Sequence, residues 1–123
     1  MYSKKVMQHF MKPKHVGEIK NPDGVATVGN VLCGDQMVVF IKVKDNKIID
    51  AKFKTFGCGA AIASSDVLCE LAKGKTIDQA LKITNKDIDK YLGGLPKIKM
   101  HCSVLGMEGL HRSIEDYKKK HKT

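Results

Sequence analysis

A stretch of regular alternation in the middle of the chain limits the possible folds more than any other feature. Every second residue is a large apolar side chain over residues 37–43, and residues 49–54 alternate in the same way. Asp45 and Asn46 separate the two runs, and both residue types tolerate the left-handed backbone of a tight hairpin turn. A period of two with a two-residue connection predicts a β-hairpin that buries one face. The inward residues expected in this hairpin are Met37, Val39, Ile41, Val43, Ile49, Ala51 and Phe53.

The rest of the chain is predicted to add one strand and several helices. A strand over residues 26–32 precedes the hairpin and completes an antiparallel meander. Apolar residues four apart predict an N-terminal helix that ends before Pro13. We therefore expect an α+β fold with a three-stranded antiparallel β-sheet, helices packed on one face, an N-terminal helix and a long C-terminal helix. Without a linker or a break in composition, residues 1–123 are expected to form a single domain.

Local signals predict where the later helices begin and end. An Ala-rich run over residues 60–73 ends at Gly74, and Gly93 ends a further short helix. Thr76 and Gln79 have the spacing of a capping box. The long last helix begins at Cys102 and has one apolar stripe, formed by Met107, Leu110, Ile114 and Tyr117. Gly106 and Gly109 inside this helix cost about 1 kcal/mol each relative to Ala, which close approach of another element would explain.

Charge and hydropathy exclude several classes of protein. The longest apolar run covers residues 37–41, whereas a transmembrane helix needs about 20 apolar residues. The first residues lack the apolar core of a secretory signal, so we expect a cytoplasmic protein without a membrane partner. The net charge is +9, but only Arg112 is an arginine and Trp is absent. The chain therefore has few side chains that could recognise bases through arginine or stack on bases, and no nucleic-acid partner is expected.

Three of the four cysteines occur at predicted ends of elements. Cys33 stands two residues before Asp35, Cys58 has a glycine on each side, and Cys102 follows His101. Helix N-termini, expected next to two of these cysteines, stabilise thiolates, and all three could converge at one end of the sheet. Thiolates, a carboxylate and an imidazole suit an iron–sulfur cluster or zinc. The gaps of 25 and 44 residues contain no Cys-x-x-Cys, which excludes zinc-finger and ferredoxin patterns.

Ordered motifs along nearly the whole chain resemble one family. Cys33-Gly34-Asp35, the Gly57-Cys58-Gly59 motif with the small residues that follow it, and His101-Cys102-Ser103 occur in this order. They resemble the U-type iron–sulfur cluster scaffolds, the IscU and NifU N-terminal family. The opening residues 2–17 and the strand residues 51–56 are similar to that family as well.

The resemblance implies a function and a set of site residues. Such a scaffold receives sulfur from a cysteine desulfurase, binds iron, assembles a [2Fe–2S] cluster de novo and passes it to apo-proteins. It has no catalytic turnover of its own. The implied site residues are Cys33, Cys58 and Cys102 as cluster ligands, Asp35 and His101 as further metal ligands, and Lys99 as a modulating residue. Cys102 is also implied as the sulfur acceptor, and a homodimer could supply a fourth thiolate.

Each assignment has an alternative. Asp35 could be a turn residue, His101 a capping or packing residue, and Lys99 a solvated side chain. Cys69 lies in mid-helix outside the family's ligand pattern and is expected to be structural. The site could instead hold zinc, either in the purified form of the protein or in a sulfur acceptor that activates the desulfurase. An enzyme that uses Cys102 with its neighbouring histidine is disfavoured, because adjacent residues at a helix start usually point apart.

One segment departs from the family pattern. Scaffolds bound by the dedicated Hsp70 chaperone carry Leu-Pro-Pro-Val-Lys before His-Cys, whereas this chain has Leu95-Pro96-Lys97-Ile98-Lys99. Lys97 replaces the second proline and its restricted backbone. This difference counts against binding of that chaperone between Leu95 and Lys99.

Overall fold

The structure, a computed structural model, describes residues 4–30, 35–56, 59–93 and 101–120. The elements in chain order are α1 (Lys4–Met11), β1 (Gly24–Asn30), β2 (Asp35–Lys44), β3 (Lys47–Phe56), α2 (Gly59–Ala72), α3 (Ile77–Leu81), α4 (Asn85–Leu92) and α5 (His101–Lys120). The strands form an antiparallel sheet in the order β1-β2-β3, so the predicted α+β meander is confirmed. Within the described ranges, no helix has both the length and the apolar composition needed to cross a bilayer.

The β2–β3 hairpin forms at the predicted turn. Asp45 and Asn46 have φ of 52° and 63°, which is the left-handed pair that a two-residue hairpin turn needs. Five of the seven residues predicted to face inward are at most 1% exposed, and they are Met37, Val39, Ile41, Ala51 and Phe53. Val43 is partly buried and packs against the same core. One face of the sheet is therefore the floor of the hydrophobic core.

The prediction that Ile49 faces inward is wrong. Ile49 is 47% exposed, whereas Ile48 is fully buried. The strand register shifts near the turn, so that Lys42 pairs with Asp50 while the next residue of β2, Val43, pairs with Ile48. A bulge at this point leaves one residue of β3 without a cross-strand partner and moves its neighbour into the core.

β1 begins two residues before the predicted strand, because Gly24 and Val25 already pair with Ile41 and Phe40. The last two residues of the predicted strand, Val31 and Leu32, lie outside the described residues. The observed strand places Val28 in the core, where it is 3% exposed.

α5 packs closely across the buried face of the sheet. A Cβ on Gly109 would lie 2.8 Å from Cγ2 of Val39, and a Cβ on Gly24 would clash with the carbonyl oxygen of Ser113. The backbone N–H of Val25 donates to the carboxylate of Asp116 at 3.0 Å. Close approach of another element therefore explains Gly109. A Cβ on Gly109 would also lie 3.4 Å from Val28 of β1, whereas Ser113, four residues later, lies against Gly24 at the start of β1. α5 therefore runs antiparallel to β1, and the start of α5 lies toward the end of β1.

The predicted helix ends are confirmed at three places. Gly74 and Gly93 follow α2 and α4 with φ of 88° and 79°. The capping box at α3 is complete, since Gln79 N–H donates to Thr76 Oγ1 at 3.2 Å and Thr76 N–H donates to Gln79 Oε1 at 3.1 Å. These local signals divide the second half of the chain into α2, α3 and α4.

One buried carboxylate holds the N-terminal segment on α2. Asp66 is fully buried, and its Oδ1 accepts the backbone N–H groups of Lys14 at 2.8 Å and His15 at 2.9 Å. Its Oδ2 lies 2.5 Å from Nδ1 of His9 on α1. α1 ends at Met11, as the position of Pro13 predicts. The helix and the loop that follows it therefore share one anchor.

Candidate functional site

The first candidate segment joins β1 to β2. Asn30, the last residue of β1, pairs with Asp35, the first residue of β2. Cys33 is in the connection between them and lies outside the described residues. Gln36, the next residue of β2, pairs with Phe56, the last residue of β3. The end of β1, the start of β2 and the end of β3 therefore meet at one end of the sheet.

The other two candidate segments are the starts of α2 and α5. Cys58 also lies outside the described residues, directly before Gly59, where α2 begins. The backbones of His101 and Cys102 form the first two residues of α5, so the prediction that Cys102 opens the last helix is confirmed. Because α5 runs antiparallel to β1, this start lies toward the same end of the sheet. The described elements next to all three cysteines thus point to one region.

The two helix starts suit thiolates. α2 has 14 residues and α5 has 20, and neither has an acidic residue in its first turn. The unpaired N–H groups and the positive end of the helix dipole lower the pKa of a nearby thiol in general. No carboxylate in those first turns offsets this effect. An anionic ligand set near these starts is therefore electrostatically favoured.

Ligation itself stays a prediction for every candidate residue. Asp35 opens β2, but its side chain and those of His101 and Cys102 fall outside the part of the structure that is described. Lys99 and the rest of the segment Leu95-Pro96-Lys97-Ile98-Lys99 lie outside it altogether. Among the described side chains, no group of three or more His, Cys, Asp or Glu residues could hold a metal ion.

Cys69 has the buried environment expected of a structural cysteine. It is 0% exposed in the middle of α2, within the hydrophobic core. Burial raises the pKa of the Cys69 thiol strongly, and the nearby carboxylate of Asp66 raises it further. This thiol is therefore held neutral, and a neutral thiol is neither a good nucleophile nor a metal ligand.

One hydrogen bond near the site is not evident from the sequence. Oγ1 of Thr55 donates to the carbonyl oxygen of Gln36 at 2.7 Å, one residue from Asp35. This bond fastens the last residues of β3 to the first residues of β2. Thr55 belongs to a strand segment that resembles the family, but only the strand register shows which residue it contacts.

Comparisons with known proteins agree on one family. The model of the NifU-like N-terminal domain matches residues 1–123. The iron–sulfur cluster assembly scaffold protein IscU 1 of Archaeoglobus fulgidus is 59% identical over 120 residues, which cover 98% of this chain and 78% of that protein. The scaffold protein IscU of Aquifex aeolicus is 52% identical over 118 residues, covering 94% of this chain and 75% of that protein.

Solved structures support the same fold. A crystal structure from Fervidobacterium islandicum, described as a candidate iron–sulfur cluster assembly scaffold protein for the SUF system, has a TM-score of 0.74 to this chain at 25% identity. The match covers 92% of this chain and 96% of that chain.

Proposed function

Because the chain belongs to the family of NifU-like N-terminal domains, we propose that it is a scaffold on which iron–sulfur clusters are assembled and from which they pass to apo-proteins. The observation that carries this proposal is that three element junctions, each next to a cysteine, meet at one end of the sheet. The identity of 59% to a named assembly scaffold favours this role over that of a zinc-binding sulfur acceptor. The scaffold acts as a single domain over residues 1–123.

The proposed ligands are the thiolates of Cys33, Cys58 and Cys102, and the cargo is a [2Fe–2S] cluster. A cluster of this type has four protein ligand positions, so three thiolates leave one position for another group. Asp35, His101 or a thiolate from a second copy in a homodimer fills it. A carboxylate oxygen is a hard ligand and binds iron–sulfur clusters less well than sulfur does. An incomplete thiolate set makes the cluster easier to release, as transfer requires.

Sulfur arrives by exchange at Cys102. Its thiolate attacks the terminal sulfur of a persulfide on a cysteine desulfurase, the S–S bond of the donor breaks, and the donor thiolate leaves. Cys102 then carries the persulfide, and two electrons from an external reductant release sulfide to the cluster. Lys99 modulates the charge of the site through Asp35 or a ligand. The chain supplies binding and transfer but no catalytic turnover, and its partners are the desulfurase and the apo-proteins that receive clusters.

Anaerobic reconstitution with iron, sulfide and a thiol reductant tests the proposal. We expect broad visible absorption bands with matched iron and sulfide contents. Cys33→Ala, Cys58→Ala and Cys102→Ala should each lose the bands, whereas Cys69→Ala is the matched control and should keep them. A colourless protein that holds about one zinc per chain and takes up no iron would instead support the zinc-binding sulfur acceptor. Gel filtration of the reconstituted sample distinguishes a monomer from a cluster-bridged dimer.

A further inference from the structure

A groove of about 550 Å³ lies between the C-terminal part of α2, α3 and α4. Its floor is apolar and consists of Leu71, Ile83 and Tyr91. Leu71 lies more than three helical turns past Gly59, which is roughly 18 Å at 1.5 Å per residue. The groove is therefore distinct from the region where the cysteine-bearing junctions meet.

The rim of the groove is basic. Lys75, Lys82 and Lys90 line it, and Lys82 and Lys90 are exposed. Within the described ranges, none of these three ammonium groups forms an ion pair. Their charges are thus available to a partner.

The other polar residues of the groove are engaged by helix caps. Oε1 of Gln79 accepts the N–H of Thr76, and Oδ2 of Asp87 accepts the N–H of Thr84 at 2.9 Å. Asp87 is the one acidic residue among the described residues that line the groove, so this part of the rim has an excess of positive charge.

Tyr91 gives the groove floor a preformed part. Its hydroxyl donates to Oε2 of Glu70 at 3.0 Å, and its ring meets the ring of His9 edge-on with centroids 5.6 Å apart. Because this side chain is already ordered, less conformational entropy is lost when a ligand binds. The volume of the groove suits a few side chains of a peptide rather than the surface of a folded domain.

We propose that this groove docks an acidic segment of a partner protein. One apolar side chain of the segment covers the Leu71–Ile83–Tyr91 floor, and flanking carboxylates face the three lysines. Charge complementarity selects this occupant, because a second copy of the chain carries the same net charge of +9 and is repelled. Lysines around an apolar floor also suit a carboxylate-bearing peptide better than nucleic acid, which needs stacking platforms or arginine readout.

The test uses fluorescein-labelled peptides of alternating Glu and Gly that carry Leu, Ile or Phe at the centre. Fluorescence anisotropy measures their binding to the metal-free protein, so the result does not depend on cluster assembly. The double variant Lys82→Glu/Lys90→Glu should raise Kd about tenfold or more. Lys44→Glu/Lys118→Glu makes the same charge change at two exposed lysines outside the groove and should change Kd by less than about threefold.

A peptide with Ser at the centre should bind more weakly than its Leu counterpart, and backbone amide shifts should change around Leu71, Ile83 and Tyr91. The proposal would be overturned if both double variants weakened binding equally, or if the Ser and Leu peptides bound equally well. It would also be overturned if the amide shifts changed only at the Lys118–Lys120 end of α5, or if no peptide bound. Dimerisation that the groove variant abolishes would also overturn it, because the occupant would then be a second copy. Circular dichroism checks folding, and Lys82→Gln replaces the double variant if that variant unfolds.

Discussion

Asp66 on α2 contacts His9 on α1 across 57 residues of sequence, with 2.5 Å between Oδ2 and Nδ1. The other carboxylate oxygen of Asp66 accepts two consecutive backbone N–H groups, those of Lys14 and His15. One side chain therefore fixes both the first helix and the loop after it. A carboxylate can be buried at this position because three donors surround it.

Asp66→Ala should lower the free energy of unfolding by about 3 kcal/mol, because the substitution leaves the buried N–H of His15, the partly buried N–H of Lys14 and an imidazole without their acceptor. Urea unfolding followed by circular dichroism measures the loss. Glu115→Ala removes an exposed carboxylate from α5 and should cost less than about 0.5 kcal/mol. Similar losses in the two variants would contradict the anchoring role of Asp66.

Gly109→Ala should destabilise the protein by about 1–3 kcal/mol, although Ala is the better helix former. The added Cβ would lie 2.8 Å from Cγ2 of Val39, so either this buried side chain or α5 must shift. Gly106→Ala is the matched control, since its Cβ would meet Ile88 at 3.4 Å, an ordinary contact. The melting temperature of Gly106→Ala should equal or exceed that of the unsubstituted protein, and the melting temperature of Gly109→Ala should be lower. The reverse order would refute the close contact.

The contribution of Asp116 to stability should depend on pH. The N–H of Val25, followed by the ammonium of Lys120 at 3.0 Å, lowers the pKa of the Asp116 carboxyl below its usual value. Because the pKa of this carboxyl is lower in the folded state, its ionised form stabilises the protein when the pH lies above the unfolded-state pKa. This stabilisation is lost as the pH falls through the folded-state pKa. The free energy of unfolding of the unsubstituted protein should therefore exceed that of Asp116→Asn by about 1 kcal/mol near neutral pH and by less in acid.

Urea unfolding of the unsubstituted protein and of Asp116→Asn, repeated from neutral pH into the acid range, gives this difference in free energy directly. Glu115→Gln, one position away and exposed, should show no comparable pH dependence. A difference between the unsubstituted protein and Asp116→Asn that stays constant down to the lowest pH would show that the charge of Asp116 has no part in its bond to Val25.

The thiol of Cys69 should be unreactive in the native protein. Burial both blocks access and raises the pKa of this thiol, so almost no thiolate is present near neutral pH. In a variant with serine at positions 33, 58 and 102, a disulfide reagent should modify Cys69 at least about a hundredfold faster in urea than in buffer. Rapid modification of the folded variant would show that the α2 core opens readily.

Asp35→Ala should keep its cluster longer than the unsubstituted protein. This expectation depends on the proposed function, in which an oxygen ligand weakens the hold on the cluster. The decay of visible absorbance under an anaerobic chelator challenge measures the lifetime. Asp78→Ala removes an exposed carboxylate on α3 and should leave the lifetime unchanged. Faster loss from Asp35→Ala would refute the labilising role of Asp35.

Local sequence signals predicted the parts of the fold that depend on neighbouring residues. The Asp45-Asn46 turn, the capping box at Thr76 and the glycine after α4 each need contacts only a few residues long. The bulge that exposes Ile49 was not predictable in this way. A strict alternation assumes a regular register, and the register shift depends on how β3 pairs with β2.

Long-range contacts were beyond the reach of sequence periodicity. Asp66 and Asp116 looked like ordinary polar positions on helices, and their partners are 57 and 91 residues away. Periodicity does not indicate the candidate site. It is predicted instead from the glycines beside Cys58, from Asp35 two residues after Cys33 and from a family resemblance. The strand register then brings the element ends beside those cysteines together, which no spacing of 25 or 44 residues could indicate.

The bond between Val25 and Asp116 has a consequence for biosynthesis. β1 is one of the two edge strands of the described sheet, and the group that accepts its Val25 N–H is made 91 residues later. The nascent chain therefore completes its whole meander while that edge of β1 remains open to water and to other chains. A chain truncated before Asp116 would keep the strands of the meander but would lack the carboxylate that accepts the Val25 N–H.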